Sequence, residues 1–379
     1  MRNFVITSES VTVGHPDKLC DQISDAVVDA YLAAGVRAGV IAECAIASGV
    51  IFLSVRAGAD APVDLAALTR RIILDAGYAD KDHGRTPTVM LDLAHGRELT
   101  EAALAGARAR HMVSAFGYAC GHTETDMPYP IFAAHRLTAT LDRARKEGRL
   151  PWLSPDAQAQ VAVEFVDRVP VALTAIALTF GTRDRLDAET MQAALMEQAV
   201  GPALSGHGPQ PDDRTRFVVF PADGIAGPST HSGLTGRKSA DDAYGSFVRR
   251  SGPALSGKDP SRIDRIASYA ARQAARAVVR AGLAGECELQ LSYIVGDEAP
   301  ASVEVESYGS GSRSDAQIAQ RVKEVFDFRV GAIAERMGLW ELPGARGGRF
   351  YRDLAAYGHM GRDDLSPPWE DMEIAGKLA

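Results

Sequence analysis

The sequence predicts an α+β protein of three similar subdomains in a pseudo-threefold arrangement. One unit recurs three times along 379 residues: an amphipathic helix followed by two β-like runs. That length gives two or three domains, each large enough to bury a core. A composition of 46% hydrophobic and 24% charged residues places the chain among globular rather than disordered proteins. Units of this kind pack their helices on one face of a sheet.

The first helix starts at Pro16, a residue suited to a first helical turn. Leu19, Ile23, Val27 and Tyr31 follow at helical spacing, and Gly35 ends it. Residues 39–56 then read as two strands broken near Ser48 and Gly49. The second unit has a helix near residues 129–146, then residues 159–180 broken around Asp167. The third has a helix over residues 263–281, with Gly282 as its C-terminal cap, followed by alternating apolar runs at 286–295 and 302–308. Gly-, Ala- and polar-rich stretches set the expected subdomain boundaries: 1–100, 101–225 and 226–379.

A net charge of −8 lacks the basic footprint of a nucleic-acid binder. No window approaches the roughly 20 apolar residues that span a bilayer, and the first ten residues hold no apolar core of a leader. Cys20, Cys44, Cys120 and Cys287 lie far apart, which fits neither a zinc site nor a disulfide framework. A cytoplasmic protein with reduced thiols is the expectation.

Chemistry concentrates in two places. Asp17, Asp21, Asp25 and Asp29 recur every four residues along one helical face, where like charges cost roughly 0.2–0.5 kcal/mol per pair. Such a stripe is either solvated, the simpler expectation, or neutralised by a cation or basic residues. Gly14, His15 and Pro16 put an imidazole and the Asp17 carboxylate at a helix N-terminus, where phosphates also bind. Asp17 would suit Mg²⁺ bridged to phosphate. The second concentration spans 224–264, where Gly224, Gly227, Gly233 and Gly236 crowd a stretch ending in Arg237 and Lys238. Glycines allow close approach, and the two bases offer a fork and a point charge for phosphate oxygens. Residues 252–258 match the GxxxxGK spacing, but Asp259 replaces the Ser or Thr that would hold Mg²⁺, which disfavours a P-loop. Lys258 nevertheless lies near Asp264, at the start of the third helix. No Ser/His/Asp or Cys/His nucleophilic arrangement emerges from spacing.

With these residues in view, the chain resembles the S-adenosylmethionine synthetases. Residues 7–11, 14–18 and 21–25 resemble that family's N-terminal signature; 116–119, 127–130, 134–137, 150–153 and 155–157 its middle; 233–238, 256–260, 269–272 and 356–362 its C-terminal part. The resemblance runs from Thr7 to about Trp369. It implies three similar α+β subdomains, a dimer or dimer of dimers with active sites shared between subunits, and an ATP-consuming adenosyl transfer to a small thioether. Triphosphate would leave and be cleaved to pyrophosphate and phosphate. Carried onto this chain, His15 would contact the oxygen leaving C5′. Asp17 and Asp264 would hold Mg²⁺. Arg237, Lys238 and Lys258 would grip the triphosphate, with Arg262 standing where the family commonly has Lys. Glu43 would support K⁺, and Asp156 would lie near the ribose.

The departures cluster at the acceptor end. Compared with the family, Arg56 and His111 stand where Glu and Asp are usual, His231 replaces a further Asp, and Gln158 replaces a Lys. The adenine-enclosing segment shrinks to residues 220–224, and the loop before residue 110 is short. Three acids have become one Arg and two His, which would repel an ammonium. The resemblance thus leaves methionine, a thioether lacking the ammonium or carrying an extra carboxylate, and a catalytically weak regulatory paralogue as expectations.

Overall fold

The computed structural model describes residues 3–37, 39–78, 87–96, 103, 106–183, 186–223 and 227–378. Both expected subdomain boundaries, Gly224 and most of the short loop before residue 110 lie outside the described residues.

Three sheets carry the helices. The first has the order β1-β6-β7-β8, from β1 (Asn3–Val11), β6 (Leu153–Val166), β7 (Val169–Thr182) and β8 (Arg216–Asp223). The second pairs β11 (Ser302–Glu306), β10 (Glu286–Tyr293) and β5 (Val113–Cys120). The third runs β4-β3-β2-β9, from β4 (Thr88–His95), β3 (Val50–Ala57), β2 (Ile41–Ala47) and β9 (Gly233–Leu234). Among the described residues, only β3–β4 and β7–β8 are parallel. With the mixed helix and strand content, this is the expected α+β class. Each sheet also takes a strand from a distant part of the chain: β1 joins the central hairpin, β5 the C-terminal one and β9 the N-terminal one.

The helices and strands follow the patterns that predict them. Helix α1 (Pro16–Ala33) buries Leu19, Ile23, Val27 and Tyr31. Ser48 and Gly49 both take positive φ, the backbone that a tight hairpin turn between β2 and β3 requires. Asp167 and Arg168 do the same between β6 and β7. Helix α2 (Leu65–Ala76) packs beside α1, and α3 (Tyr129–Lys146) covers β6 and β1. Helix α4 (Ala188–Leu195) precedes β8, and α5 (Ile263–Arg280) lies across β5 and β10.

The aspartate stripe is not solvated. Asp17, Asp21, Asp25 and Asp29 are all buried, and each holds a distant segment. Asp17 accepts from the Leu234 N–H, Asp21 from Gly236, and Asp25 from Gly257 and Arg265. Asp29 accepts from three successive amides, Phe350, Tyr351 and Arg352. The like charges are tolerable because amide donors and basic side chains replace water. The ladder therefore organises loops from more than 200 residues away.

Candidate functional site

The α1 N-terminus builds the first cluster. His15 is the N-cap, and its Nδ1 accepts from the Asp17 N–H at 3.2 Å. That bond assigns the other ring nitrogen, Nε2, as the protonated one in the neutral imidazole. Burial first, then the charges of Lys238 and His231, push His15 down to about 3, so the ring is neutral at physiological pH. Asp17 Oδ1 accepts from the Leu234 amide at 3.0 Å and lies 3.3 Å from Arg237 Nη1. Gly233 permits this approach: a Cβ there would lie 2.2 Å from the Pro16 carbonyl oxygen.

Strand β6 supplies Asp156, buried, with Oδ2 2.6 Å from His231 Nε2. This bond, with the Asp156 charge, raises the His231 pKa against the cost of burial. His15 and His231 meet edge-on with ring centroids 5.3 Å apart. His15, Asp156 and His231 bring ligating atoms within 4.8 Å of one another. His15 Nδ1 and His231 Nε2 already hold hydrogen bonds, so the trio is self-satisfied as it stands. Lys238 Nζ reaches Glu9 Oε1 at 3.2 Å, and Gln158 Nε2 reaches Glu9 Oε2 at 3.1 Å.

The second cluster forms around α5. Asp264, in its first turn, places Oδ2 3.0 Å from Lys258 Nζ and 3.1 Å from His111 Nε2. Arg262 is the N-cap residue, with a buried Nε that has no hydrogen-bond partner. Burial lowers the pKa of Lys258, against the pull of Asp264. The loop is fixed by Gly257, whose N–H meets Asp25 and whose carbonyl accepts from Ala42. Residues 252–258 do not open directly into a helix, which starts only at Ile263, so this is not a P-loop. Arg56 and Glu43 sit exposed on β3 and β2.

Within one chain the two clusters stay apart. Asp17 marks the first and Asp25 the level of the second, eight residues along α1, or about 12 Å of helix. Among the described residues no hydrogen bond or ion pair joins them. The predicted residues thus fall into two groups: His15, Asp17, Asp156, His231, Arg237 and Lys238 in one, and Arg56, His111, Lys258, Arg262 and Asp264 in the other. Arg56 and His111 are not brought to His231.

Sequence reasoning passed over Glu9 as a site residue. It lies inside the quoted 7–11 motif, and an acid opposite Lys238 was the available signal. Lys18, inside the 14–18 motif, is fully buried between Asp21 and Asp242 and is structural.

Comparison with known proteins gives the family. The S-adenosylmethionine synthetase N-terminal domain matches residues 3–95, the central domain 106–224 and the C-terminal domain 225–371. The chain belongs to the S-adenosylmethionine synthetase family. Similar relatives include the S-adenosylmethionine synthase of Thermosynechococcus vestitus, 40% identical over 99% of this chain and 97% of that protein. Those of Prochlorococcus marinus (40%, covering 100% and 98%) and Crocosphaera subtropica (38%, covering 100% and 97%) are comparable. A member of this family is an enzyme, an adenosyltransferase. No helix among the described residues is long and apolar enough to cross a membrane.

Proposed function

We propose that this synthetase-family chain transfers the adenosyl group of ATP to the sulfur of methionine, forming S-adenosylmethionine. The sulfur lone pair forms a bond to C5′ as the C5′–O bond breaks, and that electron pair leaves on the triphosphate, which water then hydrolyses at a P–O–P bridge to pyrophosphate and phosphate. The relatives that match over their whole length carry the synthase name, which favours this reaction over a regulatory paralogue or a non-methionine acceptor.

One observation carries the reading. A neutral His15, its tautomer held by the Asp17 amide, presents an N–H donor beside Arg237 and Lys238. A fixed donor aimed where negative charge develops is what a departing triphosphate oxygen requires. Arg237 and Lys238 lie ready to exchange Asp17 and Glu9 for phosphate oxygens; Lys258 and Arg262 supply the same from the other cluster. Asp156 is suited to ribose hydroxyls. In this reading Arg56 and His111 of one copy and His231 of a second copy would face the acceptor.

Asp17 and Asp264 are oxygen donors that fit Mg²⁺, which keeps several waters and binds one or two carboxylates plus phosphate. Bound there, Mg²⁺ would neutralise charge on the phosphate tail. Glu43 alone, one exposed carboxylate, is a poor match for a K⁺ cage. The separation of the clusters supports a homodimer, or a dimer of dimers, in which a second copy closes each site. Phe52, Met90, Leu91 and Leu93, exposed on β3 and β4 near Arg56, would be covered in it. Four unpaired, buried cysteines suit a reducing cytoplasm.

The test is incubation with ATP, Mg²⁺ and methionine, followed by mass spectrometry and phosphate release. S-adenosylmethionine with matching phosphate and pyrophosphate is expected. Phosphate release with adenosine as the only nucleoside product would overturn the proposal.

A further inference from the structure

Three distant segments meet beside the α1 N-terminus. A Cβ at Gly14 would sit 2.4 Å from the Pro155 carbonyl oxygen, so the His15 turn lies directly against the strand that carries Asp156. Gly227 opens the turn that carries His231, and its carbonyl accepts from the Thr230 and His231 amides at 3.0 and 3.2 Å. A φ of 132° and a Cβ position 2.3 Å from the Tyr78 hydroxyl oxygen fit only glycine there. The same Tyr78 hydroxyl donates to the Gly14 carbonyl at 2.8 Å. One tyrosine thus seats the His231 turn on the His15 turn.

His231 is the side chain that spans this junction. An ionised carboxylate only accepts, so His231 Nε2 carries the proton of the 2.6 Å bond to Asp156 Oδ2. The same ring meets His15 edge-on. Among the described residues Asp156 Oδ1 accepts no hydrogen bond, so one oxygen is held and the other is left open. The terminal torsion of an aspartate is broad, and a carboxylate without such a donor would sample many planes. The aspartate usual in the family at position 231 could not donate to Asp156 when ionised, so this bond is a feature of the present chain.

We propose that His231 is a positioning residue: it fixes the Asp156 carboxylate for the ribose hydroxyls of the nucleotide and seats that grip against His15. The inference rests on reading the first cluster as the part of the adenosyltransferase site that takes the nucleoside, and it names the residue that relates sugar to leaving oxygen. C5′ joins the two, so a fixed spacing between the grips aligns the carbon that is attacked.

Calorimetric titration of the full chain with Mg²⁺ and no acceptor tests it, using ATP and 2′,3′-dideoxy-ATP. These probes share base and triphosphate and differ only in the sugar hydroxyls. ATP should bind about tenfold more tightly, as one hydrogen bond to a charged group allows. His231→Phe keeps a ring beside His15 and removes the donor; it should cut the preference about fivefold or more by weakening ATP alone. His231→Gln keeps an N–H and should restore most of the preference. In an Asp156→Ala background, where no carboxylate is left to hold, His231→Phe should change neither affinity. Equal affinities in the unaltered protein, an unchanged preference in His231→Phe, or equal weakening of both nucleotides would overturn the proposal; the last is what a merely structural role gives. Binding is read apart from turnover. A chain that makes no S-adenosylmethionine yet shows the His231-dependent preference loses the proposed reaction and keeps this residue's role.

Discussion

Replacing Asp25 by Asn would strike the support of the Lys258 loop without touching a phosphate-binding residue. Asp25 and Arg265 form an ion pair with both side chains fully buried, and the same Asp25 oxygen accepts from the Gly257 N–H at 2.8 Å. Removing one member of a buried pair costs about 3–5 kcal/mol, because the remaining charge is left uncompensated. A stranded Gly257 N–H would add about 1–3 kcal/mol, bringing Asp25→Ala close to the whole stability of a typical domain, about 5–15 kcal/mol. Asn keeps an oxygen for Gly257 and offers Arg265 a neutral acceptor. Its expected cost is therefore about 2–4 kcal/mol, still a measurable shift in urea midpoint. Hydrogen exchange would report locally, with the Gly257 amide losing protection. A midpoint within about 1 kcal/mol of the unaltered protein, with Gly257 exchange unchanged, would refute the account of the ladder as structural.

Three further outcomes follow from the same geometry. His15→Ala removes both the oxyanion donor and the N-cap, so kcat should fall about 10²–10³-fold, with about 0.5–2 kcal/mol lost in unfolding experiments. Because the folded value of His15 is about 3, below its ordinary 6.5, its contribution to stability is full above pH 6.5 and declines as pH falls toward about 3. His15→Asn should therefore flatten the stability profile by up to about 1.4 kcal/mol per pH unit between about pH 6 and pH 4, measured by urea unfolding at each pH. Gly233→Ala drives a Cβ into the Pro16 carbonyl, and a loss of about 1–3 kcal/mol with reduced turnover is expected from melting and rate measurements.

Local order was readable because it is written locally. The apolar period of α1, the paired runs and the turns at Ser48 and Asp167 depend on neighbours within a few residues. The same locality explains the misjudged stripe: Asp21, Asp25 and Asp29 are satisfied by Gly236, Gly257 and residues 350–352, which no spacing rule connects to α1. The exchange of β1, β5 and β9 between sheets is also a long-range pairing, invisible to periodicity. At the site, helix starts and basic glycine loops pointed to His15, Asp17, Lys258 and Asp264 and motif resemblance supplied their roles, while only folding reveals that they part into two clusters. Glu9 becomes interesting once Lys238 arrives from the far end of the chain.

Helix α1 behaves as a ruler. Its first rung holds the Leu234 strand and its third holds the Gly257 loop, so the gap between the clusters is set by a rigid rise. Inserting one residue between Asp17 and Asp25 would swing one loop about 100° around the axis relative to the other. Loops elsewhere can lengthen or shorten over generations; this stretch of eight residues has no such freedom.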